Sequence, residues 1–432
     1  MKVLLSVVSL LLSTALLITG HGMQLTLLPL RGASIGFSEL IIGISASCYF
    51  LGFVVGCLSV PRIIARIGHI RGFTVLAAVM ISIVLCLELV SYWPLWMALR
   101  FFTGVAVCGL YTVIESWLNS QATATSRGRI LAVYTFITLS AMTGGQFLIN
   151  VGPVDTSIPF TVAALCMAIA IIPIGLTRRM APVPVAATHT SFRLLFNRSR
   201  TAFAGALLSG LVAGSFWSLG AVFAQRYTDT QAGVTFFMSA AIAGGAVMQY
   251  PIGWLSDRTD RRRVLCLLAI GGLLMSAAVA LGVGQSWFLV AVALFGACVM
   301  PLYAISLATA ADVSDSSEFI GIGTTLLLIN ALGSAVAPLL LGPLMSKFAA
   351  AALFWAFSLI CGVFALYLAR QLRTPRNIAV EEQVPFEAAG LDVAPIAFEL
   401  DPRAADDAAD AEAAATFAER EEEFAPGGER AP

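Results

Sequence analysis

Charge is scarce in this chain. Of 432 residues, 12% are Asp, Glu, Lys or Arg, and 59% are apolar. A water-soluble domain carries about 25% charged residues, so the ordinary globular class is excluded. No G-x-x-x-x-G-K-[ST] phosphate loop is present, so direct drive by ATP is not expected. No H-E-x-x-H string and no pair of in-span aspartates is present either, so no enzyme is expected. The eight cysteines, Cys48, Cys57, Cys86, Cys108, Cys166, Cys266, Cys298 and Cys361, lack metal-type spacing and lie within apolar runs. They read as small apolar packing residues. No cofactor, metal or nucleic-acid partner is expected.

What the chain does have is apolar runs of roughly 18–25 residues, each long enough to cross a hydrocarbon core. Lipid offers no water to backbone amides, so such runs read as helices. The pattern predicts twelve, over 3–28, 39–60, 72–92, 94–118, 128–150, 158–177, 201–224, 232–255, 264–283, 286–311, 318–343 and 349–370. The start, Met1-Lys2 before an apolar run, resembles a signal peptide. The run continues to Leu30 without a clear small-residue cleavage site, and it reads as the first span.

The zero net charge conceals two parts. From Asn377 to Pro432 there are fifteen acids against three arginines, a net of −12, so the first 376 residues carry +12. Between the spans, basic residues alternate in density. One set of loops carries Lys2, Arg62, Arg66, Arg71, Arg127, Arg129, Arg178, Arg179, Arg193, Arg198, Arg200, Arg258, Arg261, Arg262, Arg263, Arg370, Arg373 and Arg376. The other set carries only Arg31, Arg226 and Lys347. The positive-inside rule then places both termini in the cytoplasm, in a multi-pass protein of the plasma (inner) membrane.

The break at 177–200, with Pro182, Pro184 and five arginines, divides the spans six and six. The expected organisation is a first half at 1–176, a cytoplasmic linker at 177–200, a second half at 201–372 and an acidic tail at 373–432. The halves repeat at an offset of 192. Gly52 falls on Gly244, Arg66 on Arg258, Arg71 on Arg263, Gly104 on Gly296, and Leu110-Tyr111 on Leu302-Tyr303. An even number of spans makes the repeats parallel, and parallel repeats place a solute path between them. The tail, rich in Ala, Glu and Asp, is expected to be disordered, or transiently helical around Ala404–Glu423. Two roles stay open for it: a solvated appendage, or a partner-binding or regulatory element.

The most specific local string is Gly253-Trp254-Leu255-Ser256-Asp257-Arg258-Thr259-Asp260-Arg261-Arg262-Arg263, between spans 8 and 9. It resembles the loop motif G-x-L-x-D-R-x-G-R-R of the major facilitator superfamily, with Asp260 in place of the second glycine. A carboxylate at a helix end can pair with arginines and with a neighbouring helix dipole, latching two helices in one state. The first-half copy, Pro61-Arg62-Ile63-Ile64-Ala65-Arg66-Ile67-Gly68-His69-Ile70-Arg71, has Ala65 where the aspartate belongs. Arg100 and Gly104 resemble the family's fourth-helix motif, and Gly144-Gly145-Gln146 departs from the fifth-helix pattern of drug/proton antiporters. Ser45 to Gly52, Arg100 to Ser116, Arg127 to Ala132, Ser209 to Ser215 and Gln249 to Gly253 are most similar to the YcaD-like branch. The superfamily resemblance spans about residues 1–372. It implies an all-α integral membrane fold of two parallel six-helix repeats and a rocking, secondary transport mechanism.

Ionisable residues within spans are costly, about 2.5–3.5 kcal/mol at the centre on insertion scales, and so are functional candidates. Glu115 reads either as a proton or substrate site or as the first-half gate partner of Arg66, Arg71 or Arg129. Arg100 reads as an anion-binding residue, or as a structural one satisfied by carbonyls or Glu88. His21 and Gln24 on span 1 are hydrogen-bonded packing residues or coupling candidates. Asp257, Arg258, Arg261 and Asp312 form the expected second-half gate, with Asp315 and Glu318 nearby. Uncharged cavity candidates are Tyr111, Tyr134, Ser215, Trp217, Tyr303 and Asn330. In the family the chain resembles, spans 1, 4, 7 and 10 line the cavity.

The function expected is alternating-access transport of a small organic solute by a monomer in contact with membrane lipid. Coupling, where present, is expected to be to protons. The rival reading is a non-transporting sensor or assembly factor that signals through the acidic tail.

Overall fold

The computed structural model describes residues 2–121, 127–176, 190–228, 230–314, 316–374, 383–386 and 398. The first half comprises α1 (Lys2–Ser34), α2 (Glu39–Ile67), α3 (His69–Leu89), α4 (Trp93–Gln121), α5 (Arg127–Leu148) and α6 (Ile158–Gly175). A short helix, α7 (Phe192–Arg198), lies within the expected linker. The second half comprises α8 (Arg200–Tyr227), α9 (Gln231–Arg258), α10 (Arg261–Leu281), α11 (Phe288–Val299), α12 (Leu302–Ala311), α13 (Ser316–Lys347) and α14 (Ala352–Gln371).

Among the described residues twelve stretches are long and apolar enough to span a membrane, α11 and α12 together forming the tenth at Phe288–Ala311. The sequence pattern predicts one unbroken helix there. The structure divides it at Met300 and Pro301, because proline has no N–H to continue the ladder. Other boundaries follow from caps. The Ser38, Ser199 and Thr230 hydroxyls accept the Ile41, Ala202 and Gly233 amides at the starts of α2, α8 and α9. Gly68, at φ 83°, separates α2 from α3 in a conformation that disfavours side chains.

The spans are not equally enclosed. The apolar stretch of α8 is 89% buried, against 39% for α3, α6 and α10. Thus α8 is central and the latter three present more surface to the surroundings.

The offset of 192 reappears as geometry. Gly52 of α2 meets the Phe101 carbonyl of α4, and Gly244 of α9 meets the Ala293 carbonyl of α11. Gly104 meets the Tyr49 carbonyl, and Gly296 meets the Ala241 carbonyl. Gly22 packs on Met142, and Gly214 on Ser334. Each second-half pair equals the first-half pair shifted by 192. Backbones approach this closely only through glycine, the small-residue packing expected where lipid supplies no hydrophobic drive. Gly52→Val or Gly244→Val should therefore abolish folded protein in size-exclusion profiles, since overpacking costs about 1–3 kcal/mol even where neighbours can give. Gly144→Ala is the control: nothing lies within 4 Å of its new methyl, and the profile should be unchanged.

The named joins between the halves gather at the face where α1 ends and α2 begins. Arg226 of α8 pairs with Glu39 of α2. Gln231 of α9 donates to the Gly152 carbonyl (3.0 Å), and Asn150 donates to Thr235 (3.0 Å). Gly43 and Gly342 bring α2 and α13 together there. The protein is thus held closed at the face opposite the linker.

Candidate functional site

Three helices, α1, α2 and α4, converge on a polar cluster inside the bundle. Tyr49 of α2 is its centre, at 2% exposure. Its hydroxyl lies 3.3 Å from His21 Nε2 of α1. The guanidinium of Arg100, from α4, sits over the Tyr49 ring at 4.6 Å. Gln24, one helical turn from His21, is buried beside it. Arg100 is 7% exposed, and its Nη1 has no hydrogen-bond partner among the described residues. Among the described residues no ion pair joins it to a carboxylate, Glu88 included. Its neighbours are an aromatic face and Cys48.

Arg100 borders a cavity of about 20 Å³ shared by Tyr49, Phe50, Trp96 and, from α8 of the second half, Trp217 and Ser218. A water needs roughly 10–15 Å³, so in this closed conformation the space is small. A second cavity of about 10 Å³ lies beside His21 and Tyr111. The Ser215 hydroxyl, on α8, is buried without a hydrogen-bond partner among the described residues. Tyr303 is fully buried on α12. Asn330 donates to the Ala206 carbonyl at 3.3 Å, joining α13 to α8.

Glu115 lies elsewhere on α4, toward the linker face. It is fully buried and accepts a hydrogen bond from Tyr134 of α5 at 2.9 Å. The structure does not bring Arg66 or Arg71 to it: both are exposed, and among the described residues neither pairs with Glu115. The side chain of Arg129 lies outside the described residues. Along α4, about three turns separate Tyr111 and about four turns separate Glu115 from Arg100.

The second-half loop forms a connected charge cluster. Arg261, 2% exposed at its side chain, reaches Asp257 at 3.2 Å and Asp312 at 3.3 Å. Glu318 pairs instead with Arg198 of α7 at 3.1 Å. Arg258 stacks on Trp254 at 4.1 Å. Asp315 is outside the described residues. Asp260, where the resembled motif has glycine, caps α10: its Oδ1 accepts the Arg262 amide at 2.9 Å, and its carboxylate also grips the Arg262 guanidinium at 2.8 Å. Asp260→Ala should lose about 1 kcal/mol of stability, the usual worth of an N-cap, and lower the Tm slightly without unfolding the protein; Asp260→Gly should lose only about a few tenths.

Sequence reasoning missed Tyr49 as a site residue. It stood within a family-like string, but nothing in the spacing shows that α2 carries it under Arg100. It also missed Glu39–Arg226, because both lie at helix ends where charge is ordinary. The string Gly32-Ala33-Ser34-Ile35-Gly36 matches G-x-S-x-G by letters. Ser34 ends a helix and donates to the Arg31 carbonyl at 2.8 Å, which is not the strand–turn–helix elbow of a nucleophile. Among the described residues no His, Cys, Asp or Glu group is placed to hold a metal ion.

Twelve spans in two parallel repeats, with a buried polar cluster reached from both halves, define a membrane transporter fold. The family model described as Major Facilitator Superfamily matches residues 10–327 and 202–404, and the chain belongs to that superfamily. It is 30% identical over 379 residues to the uncharacterized MFS-type transporter YcaD of Escherichia coli O7:K1 (strain IAI39 / ExPEC), covering 86% of this chain and 98% of that one. An uncharacterized MFS-type transporter of Enterobacter sp. (strain 638) is 28% identical over 350 residues, covering 80% and 90%. Among solved structures, the nucleoside transporter NupG aligns with TM-score 0.73 at 13% identity, covering 86% of this chain and all of that one. A bacterial homologue of the human lysosomal transporter Spinster, inward-facing and occupied, aligns with TM-score 0.69 at 13% identity, covering 88% and 97%.

Proposed function

We propose that the protein is a secondary transporter for small organic anions, working by rocking of residues 1–176 against 201–372. Arg100 is the observation that carries the substrate class. A buried cation costs several kcal/mol unless paired. This one has an aromatic face on one side, a nitrogen without a partner among the described residues, and a cavity shared by both halves on the other. A carboxylate or other anionic group entering from the cavity would complete it, with charge-assisted hydrogen bonds. Trp217, Trp96 and Phe50 would contact the apolar remainder. His21, Gln24 and Ser215 supply further polar groups, and Tyr111, Tyr303 and Asn330 line the path.

The arginine-rich loops support a cytoplasmic linker face with both termini inside, in a plasma or inner membrane. The closed face is then the outer one. Among superfamily branches, the YcaD-like relatives are the group beside which we place it. Glu115 with Tyr134 is the proposed proton site. Arg66, Arg71 and Arg129 remain gate candidates for the state in which the linker face closes.

A thermal-shift screen on purified protein tests the substrate class. Small carboxylates should raise the Tm in a concentration-dependent way, while neutral and cationic analogues should not. Stabilisation by cations alone would sink the assignment.

A further inference from the structure

The acidic tail touches the second-half charge cluster at described positions. Phe386 N–H donates to Asp257 Oδ1 at 2.9 Å. Val384 N–H donates to Asp312 Oδ1 at 3.1 Å. The Val384 carbonyl in turn accepts from Arg261. The stretch Val384–Phe386 thus bonds both carboxylates and the arginine that links them. Side chains add to this. Phe386 lies on Gly253, where any larger residue would collide with its ring. Phe398 is 2% exposed, lies on Gly323 of α13 and meets Phe319 edge-to-face at 6.3 Å. Phe398 belongs to a hydrophobic cluster that includes Trp117 and Leu118 of the first half and Leu307 and Ile322 of the second. The surrounding face carries Arg258, Arg262, Arg263, Arg370 and Arg373, opposite in sign to the −12 tail.

We infer that Val384–Phe386 and Phe398 form a built-in peptide ligand of the Asp257–Arg261–Asp312 cluster, and that it restrains closure of the linker face. Closing that face must bring the inner ends of α9, α10 and α13 toward the first half. Val384–Phe386 lie on the inner ends of α9 and α10, and Phe398 lies on α13 in a cluster shared by both halves. Release of the tail therefore frees the transporter to reach its other state, and the tail acts as a brake. The inference rests on the rocking reading above.

Two measurements on the full chain in lipid nanodiscs test it. Hydrogen exchange of the peptide containing 383–386 should be slowed about tenfold or more relative to random-coil rates. Exchange at random-coil rates would overturn the docking. Spin labels at positions 71 and 263, and at 91 and 286, report the two faces in a background without native cysteines. In the Phe386→Ala/Phe398→Ala double variant, the 71–263 pair should gain a shorter population and the 91–286 pair a longer one. Unchanged distances in that variant, with movement in Glu39→Gln, would overturn the brake and leave the rocking intact. No movement in either variant would overturn the rocking itself. Protection that a second copy competes away in dilution would assign the site to an intermolecular contact and overturn the brake.

Discussion

Arg100→Met should abolish anion-dependent stabilisation and transport while raising the Tm of the ligand-free protein. The two effects together separate a binding residue from a structural one. If Arg100 held the fold together, truncating it would lower stability. Among the described residues it has no carboxylate to lose, only an aromatic face worth about 0.5–2 kcal/mol. Against that stands the cost of burying a lone cation, about 2.5–3.5 kcal/mol on insertion scales. Methionine keeps the unbranched stem and removes the charge. A net gain of about 1 kcal/mol is expected, seen as a rise in Tm. Arg100→Lys should keep partial binding, because the charge remains but the bidentate fork is lost. Tyr49→Leu should weaken anion binding less than Arg100→Met, since it removes the support under the guanidinium and leaves the cation.

Glu115→Gln should leave substrate exchange intact and remove acceleration by a pH gradient. The carboxylate is fully buried and accepts from Tyr134. A glutamine of the same shape accepts the same hydrogen bond but cannot carry a proton. Counterflow at equal pH on both sides should therefore survive, while uptake driven by an imposed proton gradient falls to the counterflow rate. Tyr134→Phe removes the hydrogen bond that Glu115 accepts and should shift the pH dependence rather than abolish it. Equal loss of both kinds of flux in Glu115→Gln would assign the residue to binding or gating instead.

Much of this architecture was legible from the residues. Long apolar runs can be satisfied in lipid only as helices, so the twelve spans and their order follow from composition. The repeat offset of 192 was readable from a few matched residues, and it returns as matched glycine crossings in the structure. The break at Met300–Pro301 was hidden because an apolar run carries no mark of a change in helix direction beyond its proline. Helix α2 runs to Ile67 rather than 60, with Pro61 inside it: the proline removes one i→i−4 hydrogen bond, to the Cys57 carbonyl, without ending the helix. The candidate site was legible in part. Charge inside spans marked Arg100, Glu115 and His21, since each is costly unless used. Their neighbours were not, because contact between α2 and α4 depends on helix rotation, which residue spacing alone does not determine. The tail contact at Val384–Phe386 was invisible for a different reason. Its hydrogen bonds use backbone amides, and every sequence supplies those. The remaining tail, including Ala404–Glu423, lies outside the described residues.

Flux in proteoliposomes tests the central claim most directly. Purified protein, loaded inside with a carboxylate that stabilises it, should exchange external labelled carboxylate with saturable kinetics. Arg100→Met vesicles of equal protein content should show only the leak of empty vesicles. A carboxylate that binds the protein with saturation yet shows no exchange above empty vesicles would contradict the transporter account.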